Sequence, residues 1–479
     1  MTETLPDAAE REPTPLGAEA ERPPSATAQT SFLIVGGRIK EVVSEDGASA
    51  TKDYLSSILQ VQNLVVLLGA GASFHIGSPK VRDLDVVELR TLVAQAGHAL
   101  TGDDVNAIQA LSGGSGVSDL EQLLNNLQSA VTFARRCGLA NIPLNSAPQP
   151  TLATESSLLD LQSKINAALA HACQLPGPQS KLSDPFEAHR TFFSRLVRGR
   201  RSNLPRPKVF TTNYDLVIER ALDQLGYPYL DGFSGTVDRR LNLAYYALDF
   251  HRVQDQPNRV LARAENTLYL HKLHGSLNWQ AVQSRDPVTQ IETLEVIQVP
   301  PLEASKDGSV LIYPTAAKEG DTLSYPYADL LRLLANSLQD VDTAVVCVGY
   351  GFWDAHINRI LLGAMGMNPG INLLVADPMA VLKESIQLSS QSCVGKTLQE
   401  AGVPTKDTPI AALARQQDSR ISVLTGPSGQ FTELAKLMPD PTIANDVTTP
   451  AGIVHLIQSL GLEAEGQPVT RTSLGADDD

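Results

Sequence analysis

Four short stretches of this chain carry residue types that chemistry requires. Gly69-Ala70-Gly71-Ala72-Ser73 follows an aliphatic run, and two glycines there let the backbone turn sharply and come close to a ligand that a side chain would keep away. A helix started by such a turn aims its first N–H groups at an anion, and a dinucleotide pyrophosphate fits. TTNYD, Thr211 to Asp215, supplies an amide at Asn213 that can hold a water or a carboxamide, and a carboxylate at Asp215 that can sit beside a developing cation. KLHGSLNW, Lys272 to Trp279, supplies His274, whose pKa range suits general base work. VGYGFWDAHIN, Val348 to Asn358, adds Gly349, Tyr350, Asp354, His356 and Asn358. Taken singly, each has a plainer reading: an Asx turn capping a helix for TTNYD, a packed side chain for His274, a core residue for Trp353.

The elements around these stretches decide between the readings. Leu64 to Leu68 is aliphatic without alternation, the pattern of a parallel strand covered on both faces. Val209 to Thr211, Thr267 to Leu273, Ala344 to Val348, Ile371 to Ala376 and Ile421 to Leu424 read as further strands. Helical patterns lie between them at Pro185 to Arg198, Leu216 to Leu225, Ala328 to Leu338 and His356 to Leu362. Alternation of this kind predicts an α/β fold, a Rossmann-like doubly wound parallel sheet. Each motif begins where a strand stops, and in such sheets ligands lie beyond the carboxyl ends of the strands. A helical insertion over about residues 86–180 interrupts the alternation, with helices expected at Val86 to Leu100, Val117 to Cys137 (capped by Ser118) and Leu158 to Cys173. Gln280 to Asp286 reads as a polar loop. Ser31 to Val43 brackets Gly36 and Gly37 with β-prone residues, a hairpin-like arm over residues 31–50 that packs either on a neighbouring subunit or on an edge of its own sheet. Residues 1–30 read as a disordered tail, residues 51–439 as the catalytic domain, and residues 440–479 as a short helix at Ile453 to Leu462 with an acidic end. The basic cluster Arg195, Arg198, Arg200 and Arg201 reads as a solvated face, with phosphate or partner binding as the alternative.

GAGAS with Gly77, Pro79 and Arg82 behind it resembles the first signature of the sirtuin family. TTNYD is similar to the sirtuin TQNID segment, KLHGSLNW to the segment of the catalytic histidine, and VGYGFWDAHIN to the ribose-contacting segment of the prokaryotic sirtuin-like branch. The resemblance implies NAD as the ligand and a helical insertion that closes over the nicotinamide end. It implies Asn213, His274 and Asp215 as catalytic residues, and Gly69, Ala70, Gly71, Ser73, Arg82, Thr211, Gly349, Tyr350 and Asp377 as NAD contacts. Gly349 and Tyr350 stand where sirtuins usually have GTS, so the ribose contacts of that segment depart from the pattern. Sirtuin deacetylases also carry a zinc module of paired CxxC between the histidine and the ribose segment, whereas Gly275 to Cys347 holds one cysteine, Cys347. With the zinc module absent and no metal expected, the chain resembles the NAD-hydrolysing sirtuin-like effectors of bacterial antiphage defence. A protein-lysine deacylase and a non-catalytic NAD or ADP-ribose sensor are the alternatives.

Composition narrows the partners. Lys plus Arg is 38 against 53 for Asp plus Glu, so the surface repels phosphate backbones and direct nucleic acid binding is not expected. No apolar run reaches the length of a membrane helix and no leader pattern is present, which predicts a cytoplasmic protein. Cys137, Cys173, Cys347 and Cys393 lack ligand or disulfide-framework spacing and read as reduced core residues. Because unregulated NAD hydrolysis is lethal to its host, a homo-oligomer or a partner such as a HerA-like ATPase is expected to gate the activity.

Overall fold

The protein is described by a computed structural model over residues 31–43, 49–78, 86–112, 120–176, 182–252, 262–285, 288–300, 310–312, 325–380, 393–403, 405 and 407–440. The expectations for residues 1–30, Arg82, Ser118 and Ile453 to Leu462 lie outside these. A nine-stranded sheet organises the rest. In chain order its strands are β1 (Ser31–Val35), β2 (Arg38–Val43), β3 (Asn63–Leu68), β4 (Lys208–Thr211), β5 (Tyr229–Leu230), β6 (Leu268–Lys272), β7 (Thr343–Val348), β8 (Ile371–Ala376) and β9 (Ile421–Thr425). The spatial order is β2-β1-β9-β8-β7-β3-β4-β6-β5. All neighbours pair in parallel except β1, which runs against both β9 and β2.

The chain winds outward from β3 through β4 and β6, returns to place β7 on the other side of β3, and winds outward again through β8 and β9. This is the doubly wound α/β arrangement, and its switch point lies between the carboxyl ends of β3 and β7. The unalternating aliphatic runs have a simple cause. Val65 and Leu67 bury in one core while Leu64, Val66 and Leu68 bury in another on the opposite face, and Val345 and Cys347 part from Ala344, Val346 and Val348 in the same way.

Helices α1 (Ser49–Leu59), α2 (Val86–Gln95), α3 (Gly102–Leu111), α4 (Leu120–Cys137), α5 (Glu155–Ala172), α6 (Glu187–Arg198), α7 (Val217–Leu225), α8 (Tyr327–Ser337) and α9 (Ala355–Met367) precede two short ones, α10 (Pro409–Ala414) and α11 (Phe431–Leu437). The insertion α2 to α5 has its own core, built on Leu89, Ile108, Leu127 and Leu161, and that core takes in Tyr214 of TTNYD and Leu277 of KLHGSLNW. The insertion is thereby seated on two of the motifs. Its helix α3 was not expected from the sequence; Thr101 caps it, with Asp104 completing a capping box.

Four expectations need correction. Gln280 to Arg285 is not a loop but the outer half of a strand, Gly275–Arg285, in a five-stranded antiparallel sheet with Val310–Ile312, Glu292–Gln298, Arg240–Leu241 and Phe233–Ser234. Polar residues there reflect a strand with a wet face. Of the two readings of the hairpin, packing on an edge of its own sheet is the one observed: β1–β2 turns through Gly36 and Gly37 at φ 55° and 74°, and β1 extends the central sheet by pairing with β9. The basic cluster is partly structural: Arg195 donates to the Ala435, Lys436 and Met438 carbonyls at the end of α11, and buried Arg200 donates to the Leu59, Val61 and Gln62 carbonyls at the end of α1. Burial lowers the Arg200 pKa to about 10. Trp353 is 57% exposed rather than core. Of the cysteines, Cys173, Cys347 and Cys393 are buried as expected, but Cys137 is exposed rather than core. Among the described residues no helix is long and apolar enough to cross a membrane.

Candidate functional site

Because β3, β4, β6, β7 and β8 run parallel, all four motifs and Asp377 emerge at one edge of the sheet. The glycine turn is a 3-10 helix, Ala70–Ile76, that closes on Gly77 in the left-handed region. It is locked to the VGYG loop backbone to backbone. The Gly69 amide donates to the Val348 carbonyl at 3.0 Å and the Gly71 amide to the Gly349 carbonyl at 3.0 Å. A Cβ on Gly69 would lie 2.5 Å from the Gly349 oxygen, and one on Gly71 would lie 2.7 Å from the Gly349 Cα. Gly349, at φ +63°, would bring a Cβ within 2.3 Å of the Ala72 nitrogen. The three glycines are therefore required by each other, whether or not a ligand is bound.

Thr211 ends β4 by donating its hydroxyl to the Leu68 carbonyl at 3.0 Å and accepting the Asn213 amide N–H at 3.0 Å. This fastens TTNYD to the end of β3. Asn213 is 7% exposed, and its side-chain amide donates to the Ser73 hydroxyl at 3.3 Å. Ser73 in turn hydrogen-bonds Asp215, where the hydroxyl must be the donor to a carboxylate. That chain of donors fixes the orientation of the Asn213 amide: nitrogen toward Ser73, oxygen away from it. The Asn213 Oδ1 is buried and has no hydrogen-bond partner. An orphaned buried acceptor costs free energy unless a ligand or water supplies the donor.

Asp215, 4% exposed, accepts the Val217 N–H at 3.0 Å and so starts α7. Burial pushes its carboxyl pKa up, opposed by the charge of Lys272, the Val217 N–H and the Ser73 hydroxyl. Lys272 was not singled out in the sequence. Its ammonium, 4% exposed, donates to the Asp215 carbonyl at 2.5 Å, the Tyr214 carbonyl at 3.3 Å and Glu219 at 2.9 Å. It is a buried peg under the TTNYD loop. Burial also raises the Glu219 carboxyl pKa, with the Lys272 charge opposing.

His274 stands between the end of β6 and Gly275, whose φ of +89° turns the chain into the antiparallel sheet. The Tyr214 and His274 ring centroids lie 6.3 Å apart, so TTNYD and KLHG form one wall. His274 Nε2 is 3.0 Å from Asp354 Oδ2. Asp354 caps α9, its Oδ1 accepting the His356 and Ile357 amides at 2.8 Å and 3.3 Å. Sequence spacing offered no signal for this pairing, which joins residues 80 positions apart. Tyr350 is 5% exposed, and its hydroxyl bonds Asn358 at 2.9 Å; it braces the loop from within the core. Asp377 ends β8 part-exposed, its carboxylate accepting the Met379 N–H at 2.7 Å. Gly69, Ala70, Gly71, Ser73, Thr211, Asn213, Asp215, His274, Gly349 and Tyr350 are thus linked into one constellation, with Asp377 on the same edge.

This arrangement offers an amide oxygen awaiting a donor, an imidazole oriented by a carboxylate, and a glycine junction at the switch point. A family model for a SIR2-like domain matches residues 207–392, from β4 through β8. The matched segment holds TTNYD, KLHGSLNW and VGYGFWDAHIN. The glycine turn lies outside it, but β3 is inserted between β4 and β7, so the sheet joins it to the matched part. No curated protein matches the chain.

Proposed function

This chain carries a SIR2-like domain over residues 207–392, and from that premise we propose that it is an NAD+ hydrolase. The observation that carries the reading is the buried, partnerless Oδ1 of Asn213, held in a fixed orientation beside the His274 wall. An acceptor so placed takes a hydrogen from a water and directs its lone pair outward. The glycosidic bond between ribose C1′ and nicotinamide breaks with its electron pair leaving on neutral nicotinamide. The water oxygen bonds to the oxocarbenium-like C1′, and the water proton is given up. His274 takes a proton from the ribose hydroxyl or from the water. Asp215 orients Ser73 and through it Asn213, and adds negative charge behind the developing cation. The products are nicotinamide, ADP-ribose and a proton.

Resemblance to the zinc-free sirtuin-like branch supports a role as an effector of bacterial antiphage defence that depletes NAD. A homo-oligomeric state, or a partner such as a HerA-like ATPase, would hold the activity in check until infection. The direct test is to incubate the purified protein with NAD+ and follow nicotinamide release with and without an acetyl-lysine peptide. Release without peptide is expected. Release only with peptide would make the protein a deacylase, and NAD or ADP-ribose binding without turnover would make it a sensor.

A further inference from the structure

The contact between His274 and Asp354 crosses the molecule in an unusual way. β6, which delivers His274, and β7, which precedes Asp354, are separated by β4 and β3. Three inter-strand spacings make roughly 14 Å between them. Two loops must lean toward each other over the ends of β3 and β4 for the side chains to meet at 3.0 Å.

The Asp354 side is built to hold its place. Phe352 adopts φ +58°, a left-handed conformation that a non-glycine residue rarely takes. Its ring is nonetheless buried against Tyr350, centroids 4.9 Å apart, and its carbonyl accepts from the Asn358 side-chain Nδ2 at 2.8 Å. The left-handed residue reverses the chain so that Trp353 faces out and the Asp354 side chain, 9% exposed, faces in. With Oδ1 committed to the His356 and Ile357 amides, Oδ2 is the oxygen that meets His274.

We propose that Asp354 is the positioning residue of this site, fixing the His274 imidazole with its proton on Nε2 so that Nδ1 is the nitrogen that takes a proton from substrate. The inference rests on the NAD-hydrolase reading for the identity of the proton donor, a ribose hydroxyl or the attacking water. A carboxylate accepts from one ring nitrogen and leaves the lone pair on the other. When Nδ1 takes the proton the ring becomes an imidazolium, and the ionised Asp354 stabilises it without itself being protonated. The proton passes from Nδ1 to solvent after nicotinamide has left.

Asp354→Asn separates this role from helix capping, because asparagine caps as well as aspartate. The variant should keep its melting temperature within a few degrees while kcat falls by about 10²-fold or more and KM for NAD+ changes less than about threefold. The imidazole itself gives a readout independent of turnover. In 15N-histidine-labelled protein, with the His274 signals assigned through His274→Gln, the full chain should show the proton on Nε2 and Asp354→Asn should lose that preference. An unchanged tautomer in a folded Asp354→Asn would overturn the inference. If the full chain releases no nicotinamide, the function reading fails, but the tautomer measurement still decides whether Asp354 sets the imidazole.

Discussion

Two parts of the candidate site use their polar atoms in opposite ways. At the glycine junction, the amides of Gly69 and Gly71 are bonded to the β7 end and the VGYG loop, and the missing side chains are missing because another backbone occupies their space. At the TTNYD wall, a side chain is present, buried and well oriented, yet its carbonyl oxygen has no donor. The first region is complete without a ligand; the second is not. A glycine signature therefore reports close backbone packing here as directly as it reports phosphate binding, while the orphaned acceptor points to something that must arrive.

That contrast predicts a large stability effect at the junction and a small one at Asn213. Gly349→Ala should be the most damaging, because its Cβ would meet backbone at 2.3 Å and its φ of +63° is left-handed. A loss of more than about 4 kcal/mol, or failure to fold, is expected in urea unfolding; a near-normal midpoint would show that the two loops can separate. Lys272→Met comes next. It leaves the Glu219 carboxylate buried without its cation and the Asp215 carbonyl without its donor, at a cost of about 3–5 kcal/mol. The double variant with Glu219→Gln should recover part of that loss, and strict additivity would argue against a coupled pair.

A smaller effect comes from histidines held neutral. Burial lowers the His189 pKa well below its ordinary value, and His271, stacked between Phe210 and Tyr246, is lowered by burial to about 3. A depressed folded-state pKa means the unfolded chain binds more protons. Stability is then full above about pH 6.5 and falls as pH drops toward the folded value, by roughly 1.4 kcal/mol per pH unit for each such group. Asp215 and Glu219, raised by burial, act in the opposite sense as pH rises above the ordinary carboxylate range, so the histidine contribution is read as the difference between the unaltered protein and His189→Phe in urea midpoints at pH 7.5 and 5.5. His189→Phe should flatten the slope.

The sequence made the sheet legible because parallel strands buried on both faces need unbroken aliphatic runs, as in Leu64 to Leu68 and Ala344 to Val348. It made the candidate site stretches legible because they sit where those runs end. What escaped was whatever depends on distant partners. Asp354 meets His274 across two intervening strands, and Lys272 pegs a loop some 60 residues away, contacts that no local pattern encodes. Arg195 and Arg200 look like any exposed basic cluster until the helix ends they cap are in place. Gln280 to Arg285 read as a loop because a strand with a solvated face dilutes its apolar signal.

Asn213→Ala tests the central claim most directly. Truncation removes one hydrogen bond, to Ser73, and should cost about 1 kcal/mol, the least of these changes. Nicotinamide release from NAD+ should nevertheless fall by about 10²–10⁴-fold, since the group that orients the water is gone. A folded Asn213→Ala variant that releases nicotinamide at the rate of the unaltered protein would contradict the account.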